Sequence, residues 1–217
     1  MGGLFNPEGK FMRYGGKLWD MMWLNVLTLI CSIPLITAGP AFAAMHYVLL
    51  KIYRDEETSI TKLFFKSFAQ NFKQGAVIQL VFLVLVYLLY ISLQMFWAWE
   101  AGGVQLAFWV TVAVSVAVVC IWMWSLILLS RYTNSVINLF KTALAISAVH
   151  PIRTLFMAVL LVIPGFVLLF TEKILVFVLV LGLTGPGMVQ TLWYNGIFKK
   201  MENVKEEQEE EEEESEE

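Results

Sequence analysis

Residues 25–40, NVLTLICSIPLITAGP, constrain the fold of this chain more than any other segment. The segment is apolar enough to enter a lipid bilayer, yet it contains Pro34 and then Gly39-Pro40. A proline inside a helix removes a backbone hydrogen bond and clashes with the preceding turn, so a soluble core helix rarely carries two. In a membrane protein such breaks are tolerated where neighbouring helices satisfy the backbone. The segment therefore predicts a broken helix in a membrane.

The composition agrees with a membrane location. Apolar residues make up 59% of the chain and charged residues 15%, whereas soluble domains average about 45–50% and about 25%. We predict an all-α, multi-pass protein of the cell membrane with a single membrane domain over residues 1–200. Residues 201–217 are predicted to be a disordered acidic tail, because 206–217 hold ten of the 18 acidic residues and no basic ones.

Apolar segments divide the membrane domain into about five predicted transmembrane helices, at residues 21–50, 76–96, 104–130, 154–171 and 174–196. The first would be about 45 Å long as a helix, which is long for one hydrocarbon layer of about 30 Å and short for two. A single crossing kinked at Gly39-Pro40 and a re-entrant hairpin are both compatible with this length. The last span carries a second predicted break, at Gly185-Pro186.

The distribution of basic residues places segments 51–75, 131–153 and the C-terminus in the cytoplasm, where membrane proteins concentrate Lys and Arg. Five crossings leave eleven basic residues inside and four outside, with the N-terminus outside. A re-entrant hairpin or six crossings place the N-terminus inside and leave fourteen basic residues against one. The two versions agree on the cytoplasmic segments and leave the side of the N-terminus open.

Segment 51–75 is predicted to form an amphipathic helix on the cytoplasmic surface. Phenylalanines recur there at spacings of three and four, with lysines on the opposite side, a pattern that suits a lipid surface or a partner protein. The residues predicted to form this docking surface are Arg54, Lys62, Phe65, Lys66, Phe68, Phe72 and Lys73.

The Gly-Pro break occurs twice in similar surroundings. Residues 36–54 (ITAGPAFAAMHYVLLKIYR) are similar to residues 183–200 (LTGPGMVQTLWYNGIFKK). Internal repeats with broken helices often surround the substrate path of a transporter, while chance recurrence of kinks and basic flanks is the other interpretation. The residues predicted to form a structural or functional break are Asn25, Cys31, Pro34, Thr37, Gly39, Pro40, His46, Gly185 and Pro186.

Sequence motifs for catalysis or cofactor binding are absent. The chain has no metalloprotease motif, nucleophile elbow or phosphate-binding loop, and its two histidines and two cysteines form no metal-ligand pattern. We therefore predict no enzymatic activity, no cofactor and no metal. His46 either lines a cavity beside the break or lies at the level of the headgroups. The basic residues follow membrane topology, so no nucleic-acid partner is predicted.

Several of these residues resemble the YesL family, a group of small bacterial membrane proteins built around a domain of unknown function. The resemblance lies in N-x5-C-x2-P-x2-T-x-G-P at residues 25–40, in LLKIYRDEE (49–57) and in FFKSFAQNFKQG (64–75), with further similarity at 131–134 and 150–155. Members of that family lie beside genes for sugar uptake and polysaccharide degradation in Gram-positive bacteria, and no activity is established for the group. The resemblance therefore implies a context and no mechanism.

Two functions follow as hypotheses. The first is an accessory or scaffold protein of carbohydrate uptake or polysaccharide utilisation, whose partners are the lipid bilayer and a sugar permease or another membrane protein. The alternative is a small transporter or channel component with its substrate path at the Gly-Pro breaks. Asp, Glu, Lys and Arg are absent from the interiors of the five predicted spans. This absence favours the first hypothesis, because such residues usually mark ion and substrate pathways.

Overall fold

The chain is all-helical over the residues that the structure describes. A computed structural model describes residues 10–56, 59–98, 104–132, 134–170 and 181–216. The seven α-helices within these ranges are α1 (Lys10–Cys31), α2 (Ala38–Tyr53), α3 (Ile60–Ala98), α4 (Val104–Leu129), α5 (Val136–Val149), α6 (Pro151–Phe170) and α7 (Thr184–Glu216). The prediction of an all-α fold is confirmed for this part of the chain.

Two of the described helices are long and apolar enough to cross a membrane. They are α3, over Ile60–Phe96, and α4, over Gln105–Leu129; the predicted spans 76–96 and 104–130 lie within them. A third crossing is added if α5 and α6, which bend by 110° at their junction, count as one broken span. Residues 171–180, where the last two predicted spans connect, lie outside the described residues, and the count of five stays a prediction.

The first predicted span, 21–50, is a helical hairpin in the structure. Lys17, near the start of α1, forms an ion pair of 2.5 Å with Asp55, which follows the end of α2. Trp23 Nε1 donates a hydrogen bond of 2.9 Å to Thr61 Oγ1, at the start of α3. Because the start of α1 meets the end of α2, the two helices are antiparallel. This geometry corresponds to the re-entrant alternative and not to a single kinked crossing.

Helix α2 is the centre of the fold. Twelve of its 16 residues are buried, and it packs against α1, α3, α4 and α7. Four of the buried residues are alanines, whose small side chains let neighbouring helices approach closely. A helix that is apolar on every side is stable only when it is surrounded, so α2 depends on its neighbours for its position.

Helix α3 is continuous over 39 residues, about 58 Å, which is nearly twice the hydrocarbon thickness of a bilayer. The amphipathic surface helix predicted over 51–75 is therefore not a separate element. Lys51–Tyr53 end α2, and residues 60–75 are the first part of α3. Gly75 lies inside this helix, where the backbone of Pro40 in α2 packs directly against it.

The buried residues form two clusters on either side of α2. One lies between α1, α2 and the start of α3 and includes Leu24, Leu49 and Phe64. The other joins α4, α5 and α7 around Trp124 and Tyr194. Large apolar side chains are exposed along the later part of α3 and the first half of α4, as expected of a surface that faces lipid.

The acidic segment differs from the prediction of disorder over 201–217. Helix α7 begins at Thr184 and continues through Glu216. Glutamate has a good intrinsic helix propensity, so a helix that starts in the core can extend through a run of glutamates. Repulsion between like charges three and four residues apart opposes this extension.

Candidate functional site

Both Gly-Pro pairs lie in the first turn of a helix. Gly39 and Pro40 are the second and third residues of α2, and Gly185 and Pro186 hold the same places in α7. The N–H groups of a first turn have no partner within the helix, so a proline there costs no hydrogen bond. The helical structure is interrupted by a turn just before each pair, at 32–37 and at 182–183. The predicted kinks at the pairs themselves are thus helix starts.

The two helices that begin with Gly-Pro run side by side in the same direction. A Cβ on Gly187 would lie 3.3 Å from Met45 Cε, and further along both helices Asn195 contacts Arg54. Contacts therefore advance along α2 and α7 together. The two similar segments, 36–54 and 183–200, are neighbours in the core.

Asn25 connects α1 to the start of α7. Its side-chain oxygen accepts hydrogen bonds from the backbone N–H groups of Leu183, at 2.9 Å, and Thr184, at 3.1 Å. Asn25 is fully buried. The first N–H groups of a helix need an external acceptor, and leaving one unsatisfied in an apolar interior is costly. Asn25 thus acts as a helix cap supplied from elsewhere in the chain.

The turn between α1 and α2 is closed by its own polar groups. Thr37 Oγ1 lies 2.7 Å from the carbonyl oxygen of Cys31 and 2.8 Å from that of Pro34, so its proton can be donated to either. The tip of the turn exposes Ile33 and Leu35, at 77% and 67%. Pro34 therefore lies in an apolar tip. The hydroxyl of Thr37 is used within the turn, whereas the buried Ser32 Oγ has no hydrogen-bond partner among the described residues.

Gly39 is a contact point between two backbones. A Cβ on Gly39 would overlap the carbonyl oxygen of Gly75 and lie 2.9 Å from Gln79 Cβ. Real Cβ atoms essentially never come this close to backbone atoms, so glycine is required at this contact between α2 and α3. A Cβ on Gly187 would lie 2.7 Å from Leu49 Cδ1, the end of a flexible side chain that can move aside.

His46 lies in the contact between α2 and α7 and is only 2% exposed. Its ring meets that of Tyr194 edge to face, with centroids 5.8 Å apart. The Tyr194 hydroxyl lies 3.2 Å from the carbonyl oxygen of His46 and 2.9 Å from Thr191 Oγ1. His46 Nδ1 has no hydrogen-bond partner among the described residues. The histidine is therefore a core residue of the helix pair.

Reasoning from the sequence missed a buried polar face of α7, of which Tyr194 contacts His46. It consists of Thr184, Gln190, Thr191 and Tyr194, all 0–1% exposed. Gln190 Nε2 donates to the carbonyl oxygen of Met157, at 2.8 Å. Their spacing places them on one side of a helix, so this face was detectable as a polar stripe in an apolar span.

A second cluster of polar side chains lies at the ends of α2 and α4, where both helices meet α7. Arg54 donates from Nε and Nη2 to Asn195 Oδ1, at 3.1 and 3.0 Å. Arg131 donates to Glu202 Oε1 from Nε at 3.0 Å and from Nη2 at 2.6 Å, and Arg54 lies 3.5 Å from the same carboxylate. Burial, and then the charge of Glu202, raise the pKa of the neighbouring Tyr132. Arg54, predicted as a docking residue, is thus used within the molecule.

The remaining predicted docking residues lie on the first part of α3. Lys62, Lys66 and Lys73 are exposed, and Phe65 and Phe72 flank them with 47% and 40% of their surface exposed. Phe68 is half-buried and stacks on Phe64, with ring centroids 6.1 Å apart. We call Lys62, Phe65, Lys66, Phe72 and Lys73 the basic face of α3. The phenylalanines therefore divide between this face and the core.

A metal site is not formed by the residues described. Groups of three or more His, Cys, Asp or Glu side chains that could hold an ion are absent from that part of the chain. Cys31 is half-buried and Cys120 is buried, and both are free thiols.

Comparison with known proteins gives one family. A family model described as "Protein of unknown function, DUF624" matches residues 21–93, which run from α1 through α2 and most of α3. No curated protein and no solved structure matches the chain. The matched region contains Asn25, the turn at Pro34, Gly39-Pro40 and the basic face of α3.

Proposed function

We propose that this chain is a non-enzymatic membrane protein that acts as an accessory or scaffold component and docks a partner on the basic face of α3. The observation that carries the proposal is the continuity of α3. Its exposed lysines and phenylalanines lie on the same helix as an apolar segment long enough to cross the membrane. A helix of about 58 Å must extend beyond a hydrocarbon layer of about 30 Å. The face is therefore held rigidly outside the bilayer.

The contacts at the Gly-Pro pairs support a scaffold. Asn25 caps α7, the Thr37 hydroxyl is used within its turn, and Gly39 is in backbone contact with Gly75. A substrate path needs polar groups and space that a solute can reach. At these breaks the side chains of Asn25 and Thr37 are used in hydrogen bonds, and the backbone contact at Gly39 fills the space between α2 and α3. Ser32 Oγ and Thr184 Oγ1 are the buried polar atoms there that have no hydrogen-bond partner among the described residues.

The proposed location is the cell membrane, with segments 51–75 and 131–153 and the C-terminus in the cytoplasm. Contacts between these segments support a common side: Arg131 pairs with Glu202, and Gln74 Nε2 donates to the carbonyl oxygen of Asn134. The Lys17–Asp55 ion pair adds the start of α1 to this end of the molecule. The N-terminus is then also cytoplasmic, as in the version with fourteen basic residues inside.

The link to carbohydrate uptake or polysaccharide utilisation rests on the resemblance to the YesL family. On this proposal the partner is a sugar permease or another membrane protein, and its contact surface is acidic and apolar to match the basic face of α3. Opposite charges steer association and select partners, and aromatic side chains contribute much of the binding energy at interfaces.

Co-purification from native membranes tests the proposal. We expect a permease or ATPase subunit to be recovered with the wild-type chain and lost with the triple variant Lys62→Glu, Lys66→Glu, Lys73→Glu. The matched control is Lys199→Glu with Lys200→Glu, which reverses exposed charges on α7 and should leave recovery unchanged. Recovery of no transport subunit with the wild type would remove the accessory role.

One observation favours the alternative of a small transporter. Three buried polar atoms of α2 and α7 have no hydrogen-bond partner among the described residues: His46 Nδ1 on α2, and Thr184 Oγ1 and Gln190 Oε1 on α7. Such atoms could contact a polar solute in an open state. Uptake of labelled oligosaccharide by proteoliposomes, reduced by replacing Gly39, Pro40, Gly185 and Pro186, would support transport. The scaffold function predicts no uptake by the purified protein.

A further inference from the structure

Helix α5 carries apolar side chains on two opposite sides. Leu139, Ala143 and Ile146 are buried against the core. The opposite side carries Ile137 and Leu144, exposed at 68% and 56%. A helix on the surface of a soluble protein normally presents a polar face to water. The outer side of α5 is therefore suited to an environment that is partly apolar.

Basic side chains accompany these exposed apolar residues. Lys141 is exposed and lies between Ile137 and Leu144 on the outer side, since spacings of four and three place residues on one side of a helix. Arg153 is exposed just past the end of α5, next to Ile152, which is 84% exposed. Mixed apolar and basic surfaces of this kind are typical of helices that lie in the membrane interface.

The position of α5 in the fold agrees with an interfacial location. Its axis turns by 110° to that of the first part of α6, so α5 lies nearly perpendicular to a helix that enters the apolar layer. The carbonyl oxygen of Asn134, just before α5, accepts a hydrogen bond of 3.0 Å from Gln74. Gln74 follows Lys73, the last lysine before the apolar part of α3. Helix α5 thus begins at the level where α3 becomes apolar.

We propose that α5 lies in the cytoplasmic headgroup layer of the membrane and binds anionic lipid headgroups through Lys141 and Arg153. The proposal rests on the membrane location given above and is independent of the basic face of α3. Interfacial helices place their apolar side about 5–10 Å into the boundary between headgroups and acyl chains. Lys141 and Arg153 can then contact lipid phosphates while Ile137 and Leu144 contact the upper acyl chains. On this proposal α5 is a helix that lies in the membrane interface, whereas a helix of this kind was predicted for 51–75.

Spin labels on the full chain in proteoliposomes test the depth of α5. In a background with Cys31 and Cys120 replaced by Ala, single cysteines are introduced by Leu144→Cys on α5, Gln70→Cys on the basic side of α3 and Val84→Cys, an exposed residue in the apolar part of α3. We expect the relative exposure to oxygen and to a water-soluble nickel complex to place Leu144→Cys between the other two. A label at Leu144→Cys as exposed to water as Gln70→Cys, or as deep as Val84→Cys, would overturn the proposal. A water-exposed label at Val84→Cys would overturn the membrane location itself, and the proposal with it.

Lipid selectivity tests the role of the basic residues. The probe is spin-labelled phosphatidylglycerol in phosphatidylcholine vesicles that contain the purified protein. We expect Lys141→Gln with Arg153→Gln to lower the preference for the anionic lipid by about fivefold per residue. The control, Lys199→Gln with Lys200→Gln, should leave it unchanged. Equal preference in the wild type and the α5 variant, or an equal loss in the control, would overturn the binding of anionic lipid by α5.

Discussion

The side-chain oxygen of Asn25 lies 3.1 Å from the backbone nitrogen of Thr184, although 159 positions separate the two residues. This hydrogen bond, with the parallel one to Leu183, fixes the start of α7 against α1. It joins the region that matches the family model to the last described helix, so the N-terminal hairpin and α7 are in direct contact.

Replacing Asn25 tests the cap. We expect Asn25→Leu to lower the free energy of unfolding by about 1–3 kcal/mol, because two buried N–H groups lose their acceptor. Thermal unfolding of the purified protein in detergent measures the change. Ile30→Ala, at a residue of α1 that is 58% exposed, is the control and should shift the midpoint little. A midpoint for Asn25→Leu equal to that of the control would contradict the capping role.

Replacing glycine in α2 tests the backbone contact. We expect Gly39→Ala to destabilise the protein by about 1–3 kcal/mol, because the added methyl group overlaps the Gly75 carbonyl oxygen and α2 must move. Gly196→Ala is the matched control, since no atom lies within 4 Å of a Cβ there. That change should be neutral or stabilise by up to about 1 kcal/mol through helix propensity. The same denaturation assay compares them, and equal effects would argue against the contact.

Replacing Glu202 tests the pairing of two arginines. We expect Glu202→Gln to cost about 1 kcal/mol at low salt, because Arg54 and Arg131 are left facing each other, and the cost should shrink as salt rises. The arginine and glutamate side chains are 21–27% exposed, so solvent screens part of the interaction. Glu56→Gln, which removes the more exposed pair with Lys51, should cost less. A cost independent of salt would show that the pairing is not electrostatic.

Shortening the tail tests the helical state of the acidic segment, which α7 includes through Glu216. We compare the far-ultraviolet circular dichroism of the full chain with that of a chain ending at Lys205. The difference between them should grow as the pH falls toward 4, because protonation of the glutamates removes their mutual repulsion. The same difference at pH 7 and pH 4 would mean that charge does not limit the helix in this segment.

The sequence and the structure agree best where local pattern decides. Long apolar runs predicted α3 and α4, since hydrophobicity and length are readable residue by residue. The exposed Lys62, Lys66 and Lys73 were readable in the same way, from helical spacing, whereas the burial of Phe64 was not predicted. The polar stripe of α7 had the same kind of signal and was missed, because the apolar character of the segment dominated the interpretation.

Other features depended on contacts between distant residues. The length of 21–50 allowed either a kinked crossing or a hairpin, and only the meeting of Lys17 with Asp55 selects the hairpin. Arg54 was predicted to be a surface charge, yet it donates a hydrogen bond to Asn195 and forms an ion pair with Glu202. Gly39 was predicted to lie at a kink, and its contact with Gly75 makes it a packing site.

Residues 25–40, by themselves, determined that this chain forms interrupted apolar helices. Proline interrupts a helix whatever its surroundings, and apolar side chains leave water whatever their partners. Tertiary structure decided what the interruption does. Antiparallel return of α2, capping of α7 by Asn25 and close packing at Gly39 all need partners far away in the chain. The energy of a buried hydrogen bond or a backbone contact exists only once both partners are in place.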